Sequence, residues 1–268
     1  MQIKKEKYIA KWPDSNNIIQ WTDIENQTWQ TLSERQHVTI KDRACDEFIV
    51  GLQELDMPTN RVPQLQDLNK KLAKTSWEMV AVAGTVYVDE FFTMLKNRKF
   101  PVANFIRVPE ELDYLSQPDV FHEYFGHGPL LMNQQYADFI QWYGEMALKL
   151  SKKQRQRFSR FFWYTIEFGL VNTTSGLRVL GAGILSSHKE TISSLGESPS
   201  EIPAYAPFDL KETLTREYDY TVVQDKYFVL DGIDQLYNLR DSANTIKMIT
   251  SDELDSPDLS DLDLSGFC

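Results

Sequence analysis

Two of the four histidines fall within six residues of each other, in the run Pro118-Asp119-Val120-Phe121-His122-Glu123-Tyr124-Phe125-Gly126-His127-Gly128-Pro129. Imidazoles this close in sequence are candidate metal ligands. On a regular α-helix a five-residue separation is about 500° of rotation, so the two rings would diverge by roughly 140°. Gly126 can end a helix and Pro129 cannot continue one. The expectation is therefore that the helix closes at Gly126 and that His127, on the turn beyond it, swings back toward His122. The alternative is a pair of unrelated histidines, one packed in the core and one at a helix C-terminus. The zinc-peptidase pattern H-E-x-x-H is missed by one residue, which leaves Glu123 out of place as that family's base.

A third candidate lies in Trp163-Tyr164-Thr165-Ile166-Glu167-Phe168-Gly169-Leu170, where Glu167 is flanked by large apolar groups. A buried ionised carboxylate costs several kcal/mol unless it is paired or bound to a metal. Glu167 thus calls for either an arginine partner or a cation. Two imidazoles and one carboxylate with coordination positions left open are the ligand set of non-heme iron(II) oxygenases. A zinc hydrolase using the same triad is the alternative.

The elements that must position these groups are mostly helical. Residues 1–35 are polar, bear tryptophans and read as an irregular arm. From Thr39, the positions Ile40, Cys45, Phe48, Ile49, Leu52 and Leu55 follow helical spacing and stop before Pro58. Further helices are expected over 64–74, 89–97, 133–150, 153–168 and 233–239. Short strands are expected at 77–82, as a hairpin over 170–180 around Thr173-Thr174-Ser175-Gly176, and as two runs within 218–230. With no repeat and no Gly/Ser/Pro linker, the prediction is a mainly α fold with a few short β-strands. It has one catalytic domain over 36–245 and an acidic, disordered tail over 246–268.

Composition narrows the partners. With 28 Lys+Arg against 39 Asp+Glu the net charge is −11, which repels phosphate backbones and anionic lipid, so neither nucleic acid nor a membrane is expected. A hydrophobic fraction of 42%, with 15 Phe, 12 Tyr and 6 Trp, gives a core that needs no metal to fold, so a metal here would serve chemistry. Only Cys45 and Cys268 are present, too few for a disulfide framework, and the N-terminus has no apolar stretch of a secretory signal. The expectation is a cytoplasmic protein.

The chain resembles the pterin-dependent aromatic amino acid hydroxylases, in particular their bacterial, phenylalanine-hydroxylating members. The likeness runs from about Trp77 to Leu239 through FPVANFIRVPEELDYLSQPDVFHEYFGHGPLL, WYTIEFGL and GAGILSSHKE. It implies a catalytic domain of that type, with His122, His127 and Glu167 as Fe(II) ligands and a tetrahydropterin as co-substrate. Phe91 would stack on the pterin, backbone groups near Gly84 and Val86 would bond its edge, and Glu123 would reach it through water. Arg107 would grip the amino acid carboxylate with Ser186 in support, while Trp163, Phe168 and Pro118 would line the ring slot. The implied reaction is hydroxylation of L-phenylalanine to L-tyrosine with O2, or the same chemistry on tryptophan or tyrosine. The length leaves no room for the regulatory and tetramerisation segments of the larger animal members, so a monomer is expected. Phe162, where the family has tyrosine, and Lys189, Leu180 and Gly128 depart from the family pattern.

Overall fold

The computed structural model describes residues 8–84, 86–113, 117–198, 203–219, 222 and 224–254. Helices occupy Asp23–Thr39 (α1), Asp46–Leu55 (α2), Leu65–Leu72 (α3), Val88–Lys96 (α4), Gly128–Leu131 (α5), Gln134–Ala147 (α6), Lys152–Phe162 (α7), Ala182–Leu185 (α8), His188–Ser193 (α9), Leu210–Thr215 (α10), Ile233–Asn238 (α11) and Ala243–Ile249 (α12). Strands are Glu78–Val82 (β1), Lys99–Ala103 (β2), Leu170–Thr173 (β3), Gly176–Val179 (β4), Ala204–Pro207 (β5) and Lys226–Leu230 (β6). The strands β1 and β2 form a parallel pair, and the other sheet has the order β4-β3-β6-β5 with an antiparallel β3–β4 hairpin. A mainly helical fold with minor sheet content is what the sequence predicts.

Helix α1 corrects the irregular arm expected over 1–35. Thr22 and Glu25 form a reciprocal capping box at its start, and Trp29 and Leu32 are buried. Its other buried positions, Thr28, Ser33, Gln36 and Thr39, are polar, so no apolar stripe advertises it. The Gln36 amide is satisfied inside the protein by the Leu185 carbonyl and the Thr191 hydroxyl. The helix expected from Thr39 begins instead at Asp46. Asp42 adopts φ 59, which breaks the helix, and Arg43 and Cys45 exchange backbone hydrogen bonds with Val179 at the end of β4. Helix α12 likewise occupies the start of the segment predicted to be disordered, because Ser242 caps it and Ile249 is buried. Gln154 and Arg157 of α7 then hold the carbonyls of Thr250, Ser251 and Leu254. The remainder of the tail, from residue 255, lies outside the described residues, as do positions 220, 221 and 223 of the first strand-like run expected within 218–230.

The core is aromatic. Helix α6 buries Tyr136, Phe139, Ile140, Tyr143 and Met146, and its Phe139 and Tyr143 meet Phe158, Phe161 and Phe162 of α7. Tyr143 stacks on Phe158 with centroids 4.4 Å apart. Each fully buried side chain of this size contributes about 1.5–3 kcal/mol relative to exposure. This packing fixes the end of α7, where Glu167 follows.

Candidate metal centre

Asp119 starts the segment that carries both histidines. Its carboxylate accepts the His122 N–H at 3.1 Å and its carbonyl accepts the Glu123 N–H at 3.0 Å, which makes it an N-cap. The helix then widens into a π-helical segment over His122–His127, where the Gly128 N–H reaches back five residues to the Glu123 carbonyl. A turn closed over five residues instead of four brings positions five apart close to one face. This corrects the expectation that Gly126 ends the helix: it continues through α5 to Leu131, and the histidines converge because the helix is over-wide.

A second π-helical segment, Trp163–Glu167, ends α7, with the Phe168 N–H bonded to the Trp163 carbonyl at 2.9 Å. Two glycines allow the segments to meet. A Cβ on Gly126 would lie 2.8 Å from the Ala182 carbonyl oxygen, and one on Gly181 would lie 2.2 Å from that of Glu167. The closeness of these backbones leaves no space for a side chain.

Three side chains therefore face one point. The Nε2 atoms of His122 and His127 are 3.0 Å apart, and the Glu167 carboxylate lies 3.1 Å from His127 Nε2 and 3.7 Å from His122 Nε2. The His122 Nδ1 lies 2.9 Å from the Ser186 hydroxyl, which itself donates to the Gly183 carbonyl at 3.3 Å. With its proton committed to that carbonyl, the Ser186 oxygen accepts from Nδ1–H, and the Nε2 lone pair of His122 is left to face the centre. Burial lowers the His122 pKa to about 4, so the ring is neutral, as a ligand must be. Phe100 packs against His127 at 4.7 Å.

Glu123 competes for the carboxylate position, because donor atoms of His122, Glu123 and His127 also lie within 4.8 Å of one another. Electrostatics separates the two acids. For Glu167, burial raises the pKa, but the two neighbouring imidazoles and the Gly183 N–H outweigh it and hold the carboxyl below its usual range. For Glu123, burial and the neighbouring Glu167 and Asp119 all push the carboxyl well above its usual range, and both of its oxygens are buried without a hydrogen-bond partner among the described residues. The carboxyl whose surroundings favour the anion a cation needs is Glu167, whereas the surroundings of Glu123 favour its acid form. Two nitrogens and one carboxylate oxygen converging within 3.0 to 3.7 Å of one another fit a divalent ion such as Fe(II).

The other predicted site residues fall around this centre. Arg107 is buried and forms a two-pronged ion pair with Asp119, Nε to Oδ2 and Nη2 to Oδ1 both at 2.9 Å, and its backbone N–H donates to the same carboxylate. Asp119 thus joins Arg107 to His122, a role not read from the sequence, although an Asp three residues before a helical His is an N-cap signature. Trp163 and Phe168 pack together at 4.4 Å, and Pro118 is half-buried just before Asp119. Gly84 and Val86 lie in the β1–α4 connection, and a Cβ on Gly84 would meet nothing within 4 Å. Phe91, in α4, meets Phe162 edge-on at 6.0 Å, which connects that connection to the segment ending at Glu167. Of the departures, Lys189 is exposed and Leu180 is fully buried. A Cβ on Gly128 would come within 3.1 Å of Leu55 and 3.2 Å of Met79, so a closer approach of α2 and β1 goes with this glycine.

Two imidazoles and one carboxylate converging beside aromatic side chains in a helical domain are the donor set of a non-heme metal enzyme of the oxygenase type. Residues 2–255 match the family described as biopterin-dependent aromatic amino acid hydroxylase, and the chain belongs to that family. It is 44% identical over 238 residues to a phenylalanine-4-hydroxylase of Pseudomonas aeruginosa, covering 88% of this chain and 89% of that protein. The fold is similar to the apo structure of the cold-active phenylalanine hydroxylase of Colwellia psychrerythraea 34H, with TM-score 0.85, 41% identity, and coverage of 90% and 93% of the two chains. It is also similar to Chromobacterium violaceum phenylalanine hydroxylase with bound iron(III) and oxidised cofactor 7,8-dihydrobiopterin, with TM-score 0.82, 40% identity, and coverage of 92% and 88%. No helix among the described residues is long and apolar enough to cross a membrane.

Proposed function

We propose that the protein is a phenylalanine 4-monooxygenase, converting L-phenylalanine, O2 and a tetrahydropterin to L-tyrosine at a mononuclear iron centre. The observation that carries this reading is the convergence of His122, His127 and Glu167, with separations of 3.0 to 3.7 Å, in a chain of this family. Fe(II) held by these three side chains, together with the pterin, supplies the oxygen-activating redox chemistry.

The chain's own residues bind, orient and exclude water. Ser186 fixes the tautomer of His122, and Asp119 fixes the turn on which that ring stands. Arg107, aligned by Asp119, grips the substrate carboxylate, and Trp163, Phe168 and Pro118 line the slot for the aromatic ring. Phe91 stacks on the pterin, backbone groups at Gly84 and Val86 bond its edge, and Glu123 reaches it through water. The anionic surface, with net charge −11, favours a protein that acts without nucleic acid, and we assign it to the cytoplasm as a monomer.

The test is product analysis on purified protein supplied with Fe(II), tetrahydropterin, O2 and each of phenylalanine, tryptophan and tyrosine. Tyrosine formed from phenylalanine as the preferred reaction is the expected result; zinc-dependent hydrolysis or an absence of tyrosine would overturn it. Arg107→Ala is expected to weaken phenylalanine far more than pterin, because only the amino acid carries the carboxylate. Equal losses would disprove that assignment.

A further inference from the structure

Trp163 is the predicted ring-slot wall, and its indole N–H is not left to solvent. It donates to the Gln224 Oε1 at 3.1 Å, a contact buried on both sides. The same Gln224 amide donates through Nε2 to the Asp219 carbonyl at 2.9 Å and the Val222 carbonyl at 3.1 Å. One side chain thus ties the wall to the chain just ahead of β6. Tyr218, in that stretch, stacks on the Trp163 ring with centroids 4.3 Å apart and planes 14° apart. On the other side, Glu190 of α9 accepts the Gln224 backbone N–H at 3.5 Å and the Tyr227 hydroxyl of β6. Glu190 lies four residues beyond Ser186, the side chain that orients His122.

We propose that Gln224 is a positioning residue for the aromatic slot: by holding the indole N–H of Trp163 and the Asp219 and Val222 carbonyls in one amide, it sets the angle of the slot wall and so the ranking of aromatic substrates. The chemistry calls for a side-chain amide. The indole offers only a donor and the two carbonyls only acceptors, and a primary amide is the neutral side chain that matches both at once. An aromatic ring held at one edge and stacked on one face has little freedom to tilt, and a slot selects among phenylalanine, tyrosine and tryptophan by shape. The inference rests on the reading of Trp163 as that wall.

The experiment compares the full-length, iron-loaded protein with its Gln224→Met, Gln224→Glu and Trp163→Phe variants. Gln224→Met removes acceptor and donors in a chain of similar length, whereas Gln224→Glu keeps an acceptor for the indole. The expected result for Gln224→Met is an increase of about three- to tenfold in KM for phenylalanine, the loss expected from one buried hydrogen bond. Its kcat and its KM for pterin change much less, and the proportion of tryptophan hydroxylated relative to phenylalanine shifts. Gln224→Glu, which keeps an acceptor for the indole but sets an oxygen against the Asp219 and Val222 carbonyls, is expected to raise the phenylalanine KM as well, and an unchanged KM would overturn the role of those two contacts. In protein labelled with ¹⁵N-tryptophan, the indole N–H signal that disappears in Trp163→Phe should exchange slowly with solvent and move in Gln224→Met. Rapid exchange of that signal in the unmutated protein would overturn the proposal without reference to any Gln224 variant. A response of KM to Trp163→Phe but not to Gln224→Met would also overturn it and leave the slot reading intact. Indifference of KM to Trp163→Phe would instead overturn the slot reading, and the positioning role with it.

Discussion

The ion pair between Arg107 and Asp119 can be tested by a double-mutant cycle. Asp119 is fully buried and its carboxylate accepts the Arg107 backbone N–H, the Arg107 Nε and Nη2, and the His122 N–H, the first three at 2.9 Å and the last at 3.1 Å. Burial raises the Asp119 pKa, but the Arg107 charge and these hydrogen bonds outweigh it and keep the acid below its usual range, so the pair is ionised at neutral pH. Removing one partner from a buried pair leaves the other charge uncompensated, at a cost of about 3–5 kcal/mol. Asp119→Leu and Arg107→Met should therefore each lower the unfolding midpoint by roughly 6–20 °C, at roughly 2–4 °C per kcal/mol for a domain of this size. In the double variant both charges are gone, and the remaining loss should be mostly the N-cap to His122, about 1 kcal/mol. Denaturant unfolding of the metal-free protein, followed by circular dichroism, gives the four free energies. The double variant should be more stable than either single one. Single effects that add to within about 0.5 kcal/mol would show that the two residues do not act as a unit and would refute the reasoning.

Three further outcomes follow from particular contacts. His122 has a folded pKa of about 4 against about 6.5 in the unfolded chain, so as pH falls from 6.5 to 4 only the unfolded chain gains a proton; the metal-free protein should lose up to about 3 kcal/mol across that window, and a His122→Gln variant with the same pH slope would contradict this. Phe162→Tyr should leave unchanged or raise the tyrosine formed per pterin consumed, while lowering stability by about 1–3 kcal/mol if the new hydroxyl finds no partner among Phe91 and Tyr143; a clear fall in coupling would refute the argument from the missing hydroxyl. Gly128→Val should cost about 1–3 kcal/mol in denaturant unfolding, because its side chain would press on Leu55 and Met79, and a neutral result would show that these two side chains yield freely.

The candidate metal ligands stand out in the sequence more clearly than the elements that hold them. A carboxylate buried between Ile166 and Phe168 demands an explanation on energetic grounds alone, and two histidines in six residues suggest one; both are statements about residue types. The helices at Val88–Lys96 and Gln134–Ala147 were legible because their apolar positions recur with the helical period. Helix α1 was not, because four of its six buried side chains are polar and are satisfied by tertiary hydrogen bonds that no local pattern records. The strand β2 was hidden by Pro101, which argues against a central strand but is tolerated in a two-stranded sheet whose strands are both edges.

The two π-helical segments mark where sequence reasoning reaches its limit, and they do so for a physical reason. Regular helical geometry places His122 and His127 about 140° apart, so the sequence argument supplied a turn at Gly126 to bring them together. The protein achieves convergence by a wider helix, which costs hydrogen-bond quality locally and must be stabilised by what surrounds it. Those surroundings are non-local: Asp119 capping from one side, α8 lying against Gly126, and the Glu167 backbone against Gly181. A wide helical turn persists where packing over-determines it, and here both wide turns end on a side chain that faces the same point, His127 in one and Glu167 in the other. The candidate centre is therefore a property of how α7, α8 and the His122 segment pack, and if it holds the metal as proposed, substitutions at Gly126 or Gly181 should weaken metal binding without touching a proposed ligand.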